Sequence, residues 1–216
     1  MVSGRSAPGG RPSRADYYRV LAATLPADTL VVTSLGNASY LWAQLRDRPE
    51  NFYVEDAMGL ALPVALGLAA ARPDRRVVVS EGDGGLLMHL GVLVTLGAVA
   101  PANLTILIVQ NGVHAASGGQ PVTNAALDLA ALARSAGIGR AHNVESPDAF
   151  APALAAALAG PGPTLLALAT EPDVEGMAPP EPFVPVVIKD RFQRAIQAPR
   201  YVPLDFGGGR LVPPPA

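Results

Sequence analysis

The chain has 216 residues, half of them hydrophobic and 16% charged, with a formal net charge of −2. This length and composition suit one domain with a substantial buried core. The charge balance argues against a nucleic-acid-binding surface, and the absence of cysteine excludes disulfides, thiolate metal sites and a cysteine nucleophile.

The predicted elements alternate between helix and strand. In chain order they are a helix at Arg14–Leu25, a strand at Leu30–Thr33, a helix ending at Leu45, a strand at Phe52–Val54, a helix at Ala57–Ala71, a strand at Val77–Ser80, a helix at Leu86–Ala100, a strand at Leu104–Val109, a helix at Ala125–Ala136, a strand at Arg140–Val144, a helix at Pro147–Leu158 and a strand at Thr164–Ala169. Asn37 or Ser39 is the candidate N-cap of the second helix. Pro63 is tolerable only near the first turns of its helix or at a kink.

Six short apolar strands separated by helices predict an α/β fold of three layers, α/β/α, around a six-stranded, mostly parallel sheet. Residues 14–170 form the predicted domain. Residues 1–13 read as a flexible N-terminal arm. Residues 171–216 form a Pro/Gly-rich tail, with a short helix near Lys189–Ile196 and a GGG run at Gly207–Gly209, which we expect to lie over the domain or a partner subunit.

Nothing in the sequence indicates a membrane protein. The N-terminus lacks the apolar segment of a signal peptide. The longest apolar stretch, Leu86–Val109, is interrupted by His89 and by Pro101–Asn103, so each half is too short to cross a bilayer. The sequence therefore predicts a cytoplasmic protein that binds neither membrane nor nucleic acid.

Polar residues follow two neighbouring predicted strands within Val77–Gln120. Asp83 and Asn111 each come just after a strand end, where ligands bind in open parallel sheets. If these strands are adjacent, a carboxylate and an amide oxygen converge on one cation of the Mg²⁺ type, and the helix beginning near Gly85 favours a phosphate there. The alternatives are that Asp83 caps that helix and that Asn111-Gly112 is an ordinary turn.

These residues resemble a known motif. The sequence GDG at Gly82–Gly84, followed after 26 residues (85 to 110) by Asn111, is similar to the thiamine-diphosphate motif. The segment Asn51–Ala69 resembles the part of that family that lies against the aminopyrimidine ring. The sequences GGQPVTN and VVIKDRF look more like phosphonopyruvate and sulfopyruvate decarboxylases. The resemblance covers about Ala15 to Phe192.

The resemblance implies a cofactor site that holds thiamine diphosphate and Mg²⁺. Its metal ligands are the side chains of Asp83 and Asn111 and the main-chain oxygen of Val113. The loop at Ser34–Ser39 lies near the diphosphate, and Met58 props the cofactor in its bent shape, although spacing alone places Met58 in a helix core. The implied cofactor-binding residues are Gly36, Asn37, Asp56, Ala57, Met58, Gly82, Asp83, Gly84, Gly85, Asn111 and Val113.

His114 has two interpretations. A loop histidine is more often a solvated residue, yet three positions past Asn111 it lies near the reacting carbon implied by the resemblance, where imidazole can exchange a proton. His114 is therefore the candidate catalytic residue, at a position where Tyr is common in the family. Ser117 and Gln120 are candidate substrate contacts by resemblance alone. His89 reads as structural, and His142 is given no role.

The resemblance implies decarboxylation of an anionic 2-oxo acid, such as phosphonopyruvate or sulfopyruvate, to carbon dioxide and an aldehyde. In the family the activating glutamate belongs to a separate pyrimidine-binding domain. The chain is too short for both domains, and neither Glu55 nor Glu81 lies in a segment that matches that glutamate. We therefore expect a β-type subunit in a hetero-oligomer, with two or more copies of each chain and an α-type partner.

Two alternatives remain open from the sequence. One is a carboligase subunit of the acetohydroxyacid-synthase kind. The other is a non-catalytic scaffold, suggested by Asp56 at a position where related decarboxylases usually carry glycine.

Overall fold

The computed structural model describes residues 10–174, 176–180 and 183–197. Residues 1–9 of the predicted arm and the run at Gly207–Gly209 lie outside these ranges. The described strands are β1 (Leu30–Thr33), β2 (Asn51–Tyr53), β3 (Val77–Gly82), β4 (Leu104–Gln110), β5 (Val113–His114), β6 (Gln120–Pro121), β7 (Arg140–Val144) and β8 (Thr164–Ala169). The described helices are α1 (Arg14–Thr24), α2 (Asn37–Arg46), α3 (Ala61–Ala71), α4 (Asp83–Met88), α5 (Val92–Val99), α6 (Leu129–Ser135), α7 (Pro147–Ala159) and α8 (Pro185–Ile196), with a 3₁₀ turn at Ala115–Ser117.

Six strands form one sheet in the order β2-β1-β3-β4-β8-β7, and every adjacent pair is parallel. The predicted six-stranded α/β fold is thereby confirmed. Ser80 pairs with Thr33 on one side and with Leu107 on the other, so β1, β3 and β4 end close together. Their carboxyl ends share one edge of the sheet. The strands β5 and β6 form a separate two-stranded hairpin.

Helices cover both faces of the sheet, which makes three layers. Val77 and Val79 of β3 belong to one buried cluster, to which α3, α5 and α6 contribute. Val78, between them, faces the opposite cluster, to which α1, α2 and α7 contribute. Because both faces are buried, the central strands consist of continuous apolar runs rather than alternating apolar and polar residues.

The helix α8 closes the sheet at its β2 edge. Phe192 packs on Phe52 with ring centroids 5.2 Å apart, and Ile188 joins the cluster on the other face. Arg191 donates to both carboxylate oxygens of Asp47 at 2.8 Å. Part of the predicted 171–216 tail therefore packs on the domain and covers an edge strand. Among the helices within the described ranges, none has both the length and the apolarity needed to cross a membrane.

The helix predicted at Leu86–Ala100 is two helices. The chain turns at residues 89–91, where the N–H of His89 donates to Leu86 O and the N–H of Val92 donates to His89 O. Each of these hydrogen bonds spans three residues, whereas the hydrogen bonds of an α-helix span four. The first helix begins at Asp83, because β3 ends at Gly82 and the chain turns at once.

Two other predicted helix starts need correction. The helix predicted from Ala57 begins at Ala61, since the chain first makes a turn with Gly59 at φ +76°. The helix predicted from Ala125 begins at Leu129, because Asp128 caps it by accepting from the N–H of Ala131. Pro63 consequently lies in the first turn of α3, where no intrahelical N–H is required.

The N-cap of α2 also differs from the prediction. The N-cap residue is Gly36, with φ +68°, and no side chain caps this helix. Asn37 and Ser39 lie inside the helix. The hydroxyl of Ser39 bonds to Ser34 O and Thr33 Oγ1, so it ties α2 to the end of β1 instead.

Candidate functional site

A cleft opens at the carboxyl edge of the sheet, beyond the ends of β1, β3 and β4. Its walls come from the start of α1, the loops after those three strands and the turn before α3. The lining residues are Arg14, Ser34, Leu35, Asn37, Met58, Gly59, Glu81, Gly82, Asp83, Gly84, Gly85, Asn111, Val113, His114, Ala115 and Ala116.

Asp83 and Asn111 lie at neighbouring strand ends, because Gly82 of β3 pairs with Val109 of β4. Asp83 is 2% exposed, and its two carboxylate oxygens accept the N–H groups of Gly84 at 2.9 Å and Gly112 at 2.8 Å. The carboxylate thus bridges the loops after both strands. The helix α4 begins at Asp83 itself with Gly82 as N-cap, so Asp83 does not cap a helix beginning at Leu86.

The side chain of Asn111 is held within its own loop. Its Oδ1 accepts the N–H of Val113 at 3.1 Å, and the residue is 6% exposed. Gly112 has φ +74°, which a side chain would disfavour. The turn therefore directs Asn111 and Val113 to the same side, into the cleft.

These donors fit a hard cation. The described residues contain no group of three His, Cys, Asp or Glu placed to hold a metal ion. The set at the strand ends is instead the carboxylate of Asp83 and the amide oxygen of Asn111, with Val113 beside them in the cleft lining. Mg²⁺ is commonly bound by one or two carboxylates and leaves further positions for water and phosphate oxygens. The donor set therefore suits Mg²⁺ together with a phosphate ligand.

A second buried carboxyl group, that of Glu81, also lines the cleft. Burial raises the pKa of Glu81 to about 7, while hydrogen bonds from the N–H groups of Gly82 and Ala61 oppose this shift. Burial likewise raises the pKa of Asp83, against the N–H groups of Gly112 and Gly84. Two acidic groups in one poorly solvated cleft are costly when both are ionised, and a bound cation would lower that cost.

Glycines shape the cleft floor. A Cβ on Gly84 would lie 2.6 Å from Nδ1 of His114, and one on Gly85 would lie 2.5 Å from Oε1 of Glu81. A Cβ on Gly82 would meet no atom within 4 Å, so this position leaves open space. A side chain at position 84 would collide with His114, and one at position 85 would collide with Glu81. Glycine at these two positions therefore lets His114 and Glu81 pack against α4.

The turn before α3 supplies Met58 and Gly59. Met58 is half-buried, lines the cleft and precedes the first residue of α3, so the alternative that places it in a helix core is wrong. A Cβ on Gly59 would lie 2.6 Å from Gly85 O, so the turn packs directly on α4. Asp56 is exposed with φ +52°, and it is absent from the cleft lining, as are Ala57 and Gly36.

The remaining candidate residues are divided between the cleft and its surroundings. His114 lines the cleft from β5, and its carbonyl accepts the N–H of Gly119 at 2.9 Å. Ser117 and Gln120 are exposed, bond to each other at 3.1 Å and lie outside the lining. His89 lies in a groove between α3 and α5.

Sequence reasoning missed Arg14 and did not assign Glu81 to the cleft. Arg14 is 8% exposed and is the only Arg or Lys among the described cleft residues. Ser13 and Asp16 form a capping box, which marks the start of α1 and so the place of Arg14 in its first turn. No signal in the sequence shows that this turn reaches the ends of β1 and β3.

Residues 34–168 match the family described as thiamine pyrophosphate enzyme, C-terminal TPP binding domain. The phosphonopyruvate decarboxylase of Streptomyces viridochromogenes is 43% identical over 197 residues, which are 91% of this chain and 49% of that protein. The chain thus spans about half the length of this relative. The sulfopyruvate decarboxylase subunit beta of Methanocaldococcus jannaschii is 32% identical, over 86% of this chain and 98% of that protein.

Solved structures share the fold. The 4-hydroxybenzoylformate decarboxylase of Rhodococcus jostii RHA1, a thiamine diphosphate-dependent enzyme, superimposes with a TM-score of 0.62 at 24% identity, over 81% of this chain and 36% of that one. The benzoylformate decarboxylase of Polynucleobacter necessarius gives a TM-score of 0.65 at 17% identity, over 82% and 36%.

Proposed function

The chain belongs to the thiamine pyrophosphate enzyme family, whose C-terminal TPP-binding domain spans residues 34–168, and we propose that it is the diphosphate-binding subunit of a decarboxylase that acts on an anionic 2-oxo acid. The observation that carries this proposal is the convergence of Asp83 and Asn111 at the adjacent ends of β3 and β4. Phosphonopyruvate and sulfopyruvate are the acids named in its relatives, and both are anionic beyond their carboxylate.

In this proposal Mg²⁺ is held by Asp83, Asn111 and the carbonyl of Val113. The hydrogen bonds from Gly84 and Gly112 support it, because they fix the Asp83 carboxylate before a cation binds. The space left open at Gly82, between the loops that begin α2 and α4, would take the diphosphate. The first residues of both helices, Asn37 and Asp83, line the cleft, and each helix has a glycine N-cap without a side-chain acceptor, which leaves room for an anion near the first amides.

Bound thiamine diphosphate supplies the electron sink that decarboxylation of a 2-oxo acid requires. The chain's part is to bind and orient the reactants. Met58 supports the cofactor from the turn before α3. His114, against Gly84 in the cleft, contacts the substrate or exchanges a proton with it. The exposed position of Asp56 supports catalysis over the scaffold alternative, since its charge lies outside the cleft lining.

We also propose a separate pyrimidine-binding partner, which covers an uncharged face formed by α3, α4 and α5. Residues 57–71 and 84–109 contain no Asp, Glu, Lys or Arg. The face is defined by exposed apolar side chains of these helices and of the turns beside them. They are Leu60 (38% exposed), Val64 (37%), Met88 (58%), Leu90 (37%) and Val94 (65%).

The position of this uncharged face supports the partner. A Cβ on Gly59 would lie 3.2 Å from Cβ of His89, so the face begins where the cleft wall ends. A chain docked there would therefore border the cleft. Exposed apolar surface of this extent is typical of interaction sites. The relative named as a beta subunit is matched over 98% of its length, which supports a two-chain enzyme.

Calorimetry tests cofactor binding. The full chain is titrated with thiamine diphosphate in the presence of Mg²⁺ and again with EDTA, each with and without the proposed pyrimidine-binding chain. We expect binding that requires Mg²⁺ and is tighter with the partner. No heat of binding under any of these conditions would contradict the proposal and favour the scaffold.

Product analysis tests the reaction. The paired chains are incubated with phosphonopyruvate, sulfopyruvate or pyruvate, and carbon dioxide, aldehyde and hydroxyketone are measured. We expect aldehyde and carbon dioxide from one of the two anionic acids. A hydroxyketone from pyruvate would instead assign the chain to the carboligases.

A further inference from the structure

At the α2 end of the cleft, two lining residues hold a carboxylate that belongs to the chain itself. Nε of Arg14 lies 3.0 Å from Oδ2 of Asp173. Nδ2 of Asn37 donates to Oδ1 of the same carboxylate at 3.1 Å. Arg14 and Asn37 are 8% and 9% exposed and Asp173 is 26% exposed, so the contact is partly shielded from water. Asp173 therefore occupies the kind of position that a bound anion takes.

The segment Glu171–Val174, which carries Asp173, crosses from the end of β8 to the cleft. The N–H of Glu171 donates to Pro12 O at 2.9 Å. Val174 lies against the loop after β5, where a Cβ on Gly119 would be 2.8 Å from its Cγ1. Val174 is 54% exposed, and the segment belongs to no helix or strand. Within this segment few contacts therefore have to break for Asp173 to leave Arg14 and Asn37, and beyond it the N–H of Met177 donates to Oδ1 of Asn37 at 2.9 Å.

The contact of Asp173 with Arg14 affects anion binding because the described cleft residues carry little positive charge. Arg14 is the only Arg or Lys among the described residues that line it, whereas Glu81 and Asp83 are acidic. Asn37 is the first residue of α2, whose N-terminus attracts negative charge and whose N-cap glycine has no side-chain acceptor. While Asp173 holds Arg14, an anion that enters the cleft lacks its one guanidinium partner.

We propose that Arg14 and Asn37 form an anion subsite that Asp173 fills in the free chain and that a phosphate group fills after displacing Asp173. The subsite takes a phosphate or diphosphate beside the Mg²⁺ position. This inference depends on the proposed function in one respect only, namely the assignment of the anion to thiamine diphosphate.

The first test compares the parent chain with Asp173→Asn. Asparagine has the same shape and accepts from Asn37, but it lacks the charge that holds Arg14. Calorimetry with inorganic pyrophosphate and Mg²⁺ is expected to give roughly tenfold tighter binding to Asp173→Asn, because the free chain no longer has to release an ion pair. Equal or weaker binding, in a variant that unfolds at the parent temperature, would overturn the proposal.

Arg14→Gln completes a double-mutant cycle. Removal of the guanidinium is expected to weaken pyrophosphate binding by roughly tenfold and to abolish the gain from Asp173→Asn. A gain that persists without Arg14 would contradict the subsite. Asp74→Asn is the matched control, since Asp74 pairs with Arg72 at 2.7 Å in the turn before β3, at the opposite edge of the sheet. It should leave the affinity unchanged.

A direct readout follows the segment itself. The chain has no cysteine, so Val174→Cys provides one thiol for an environment-sensitive fluorophore. Pyrophosphate with Mg²⁺ should change the emission with the same midpoint as the calorimetric titration. Binding without any change in emission would show that the segment stays in place and would overturn the displacement.

The two proposals fail in different ways. If Asp173→Asn binds pyrophosphate more tightly but no form binds thiamine diphosphate, the subsite stands and the proposed function fails. If thiamine diphosphate binds equally to the parent chain and to Asp173→Asn, the proposed function stands and the subsite fails.

Discussion

Asp83 accepts main-chain N–H groups from two different loops, so its carboxylate is fixed in place without a cation. We expect Asp83→Ala to weaken magnesium-dependent binding of thiamine diphosphate by about 100-fold or more, because a charged metal ligand is lost. The change should cost about 1–3 kcal/mol of stability, since the N–H groups of Gly84 and Gly112 lose their acceptor.

Calorimetry and thermal unfolding separate these two effects. Binding is measured well below the unfolding temperature of the variant, so that only folded chains contribute. Retention of the cofactor at parental affinity would rule out Asp83 as a ligand.

The raised pKa of Glu81 predicts that the stability of the metal-free chain depends on pH. Burial raises its pKa from 4.5 to about 7 in the folded state. Between these values the unfolded chain has lost the proton that the folded chain still binds. The free energy of unfolding should therefore fall as the pH rises from about 4.5 to about 7, by roughly 3 kcal/mol, and be constant above this window.

Urea denaturation with EDTA present, at several pH values, measures this slope. Glu81→Gln keeps the shape of the side chain without the charge, so its stability should vary less with pH and exceed that of the parent chain at pH 8. A parental slope in Glu81→Gln would assign the effect to another group.

The sequence revealed some site residues and concealed others. Asp83 and Asn111 were predictable, because each follows an apolar strand and parallel strands end at one edge. The assignment of metal binding to them stays a prediction. Arg14 was not predictable as a cleft residue, since it reaches the cleft through the packing of α1 across the sheet. Asp173 lies in a segment without periodicity, so nothing in the chain order connects it to Arg14.

Among the secondary-structure elements, α5 and the C-terminal end of α6 are in close contact at Gly97. A Cβ on Gly97 would lie 1.9 Å from the carbonyl oxygen of Ala136, a main-chain atom that cannot rotate away. Gly97→Ala should therefore cost about 3 kcal/mol or more, as the helices must separate. Chemical denaturation monitored by circular dichroism measures this loss.

Gly67→Ala is the matched control within a helix. Gly67 lies in α3, and a Cβ there would meet no atom within 4 Å. The substitution should stabilise the chain by up to about 1 kcal/mol, because alanine has the higher helix propensity. Similar stabilisation by both changes would mean that helix propensity, not the close contact, governs Gly97.

Strands were easier to predict than helix limits, for a physical reason. A strand buried on both faces is a continuous apolar run that polar loops interrupt, as in Leu104–Gln110. The residues at 57–60 are as apolar as the helix beside them, and at 89–91 only His89 interrupts an apolar run, so composition does not reveal that the chain turns there. In both places the turn depends on contact with another element, as where Gly59 packs on α4.

At the scale of the whole molecule, the uncharged face predicts association. We expect the double variant Val64→Glu with Val94→Glu to abolish co-purification with the pyrimidine-binding chain, since two buried charges would lack partners in the interface. The variant should also remain monodisperse alone at higher concentration than the parent chain. Analytical ultracentrifugation of each form measures both effects.

The control for this prediction is Val186→Glu. Val186 is 66% exposed on α8, which lies at the β2 edge of the sheet and outside the uncharged face. Its replacement should leave co-purification intact. Loss of the partner in this control as well would indicate a general effect of added negative charge.

The hydrogen bond between Pro12 and Glu171 joins the segment before α1 to the segment that leaves β8. The segment that precedes α1 and the segment that connects β8 to α8 thus run side by side. Another polypeptide can be spliced on ahead of Pro12, or severed there, without rearranging either hydrophobic cluster. A polypeptide joined there would be tethered next to the segment that carries Asp173.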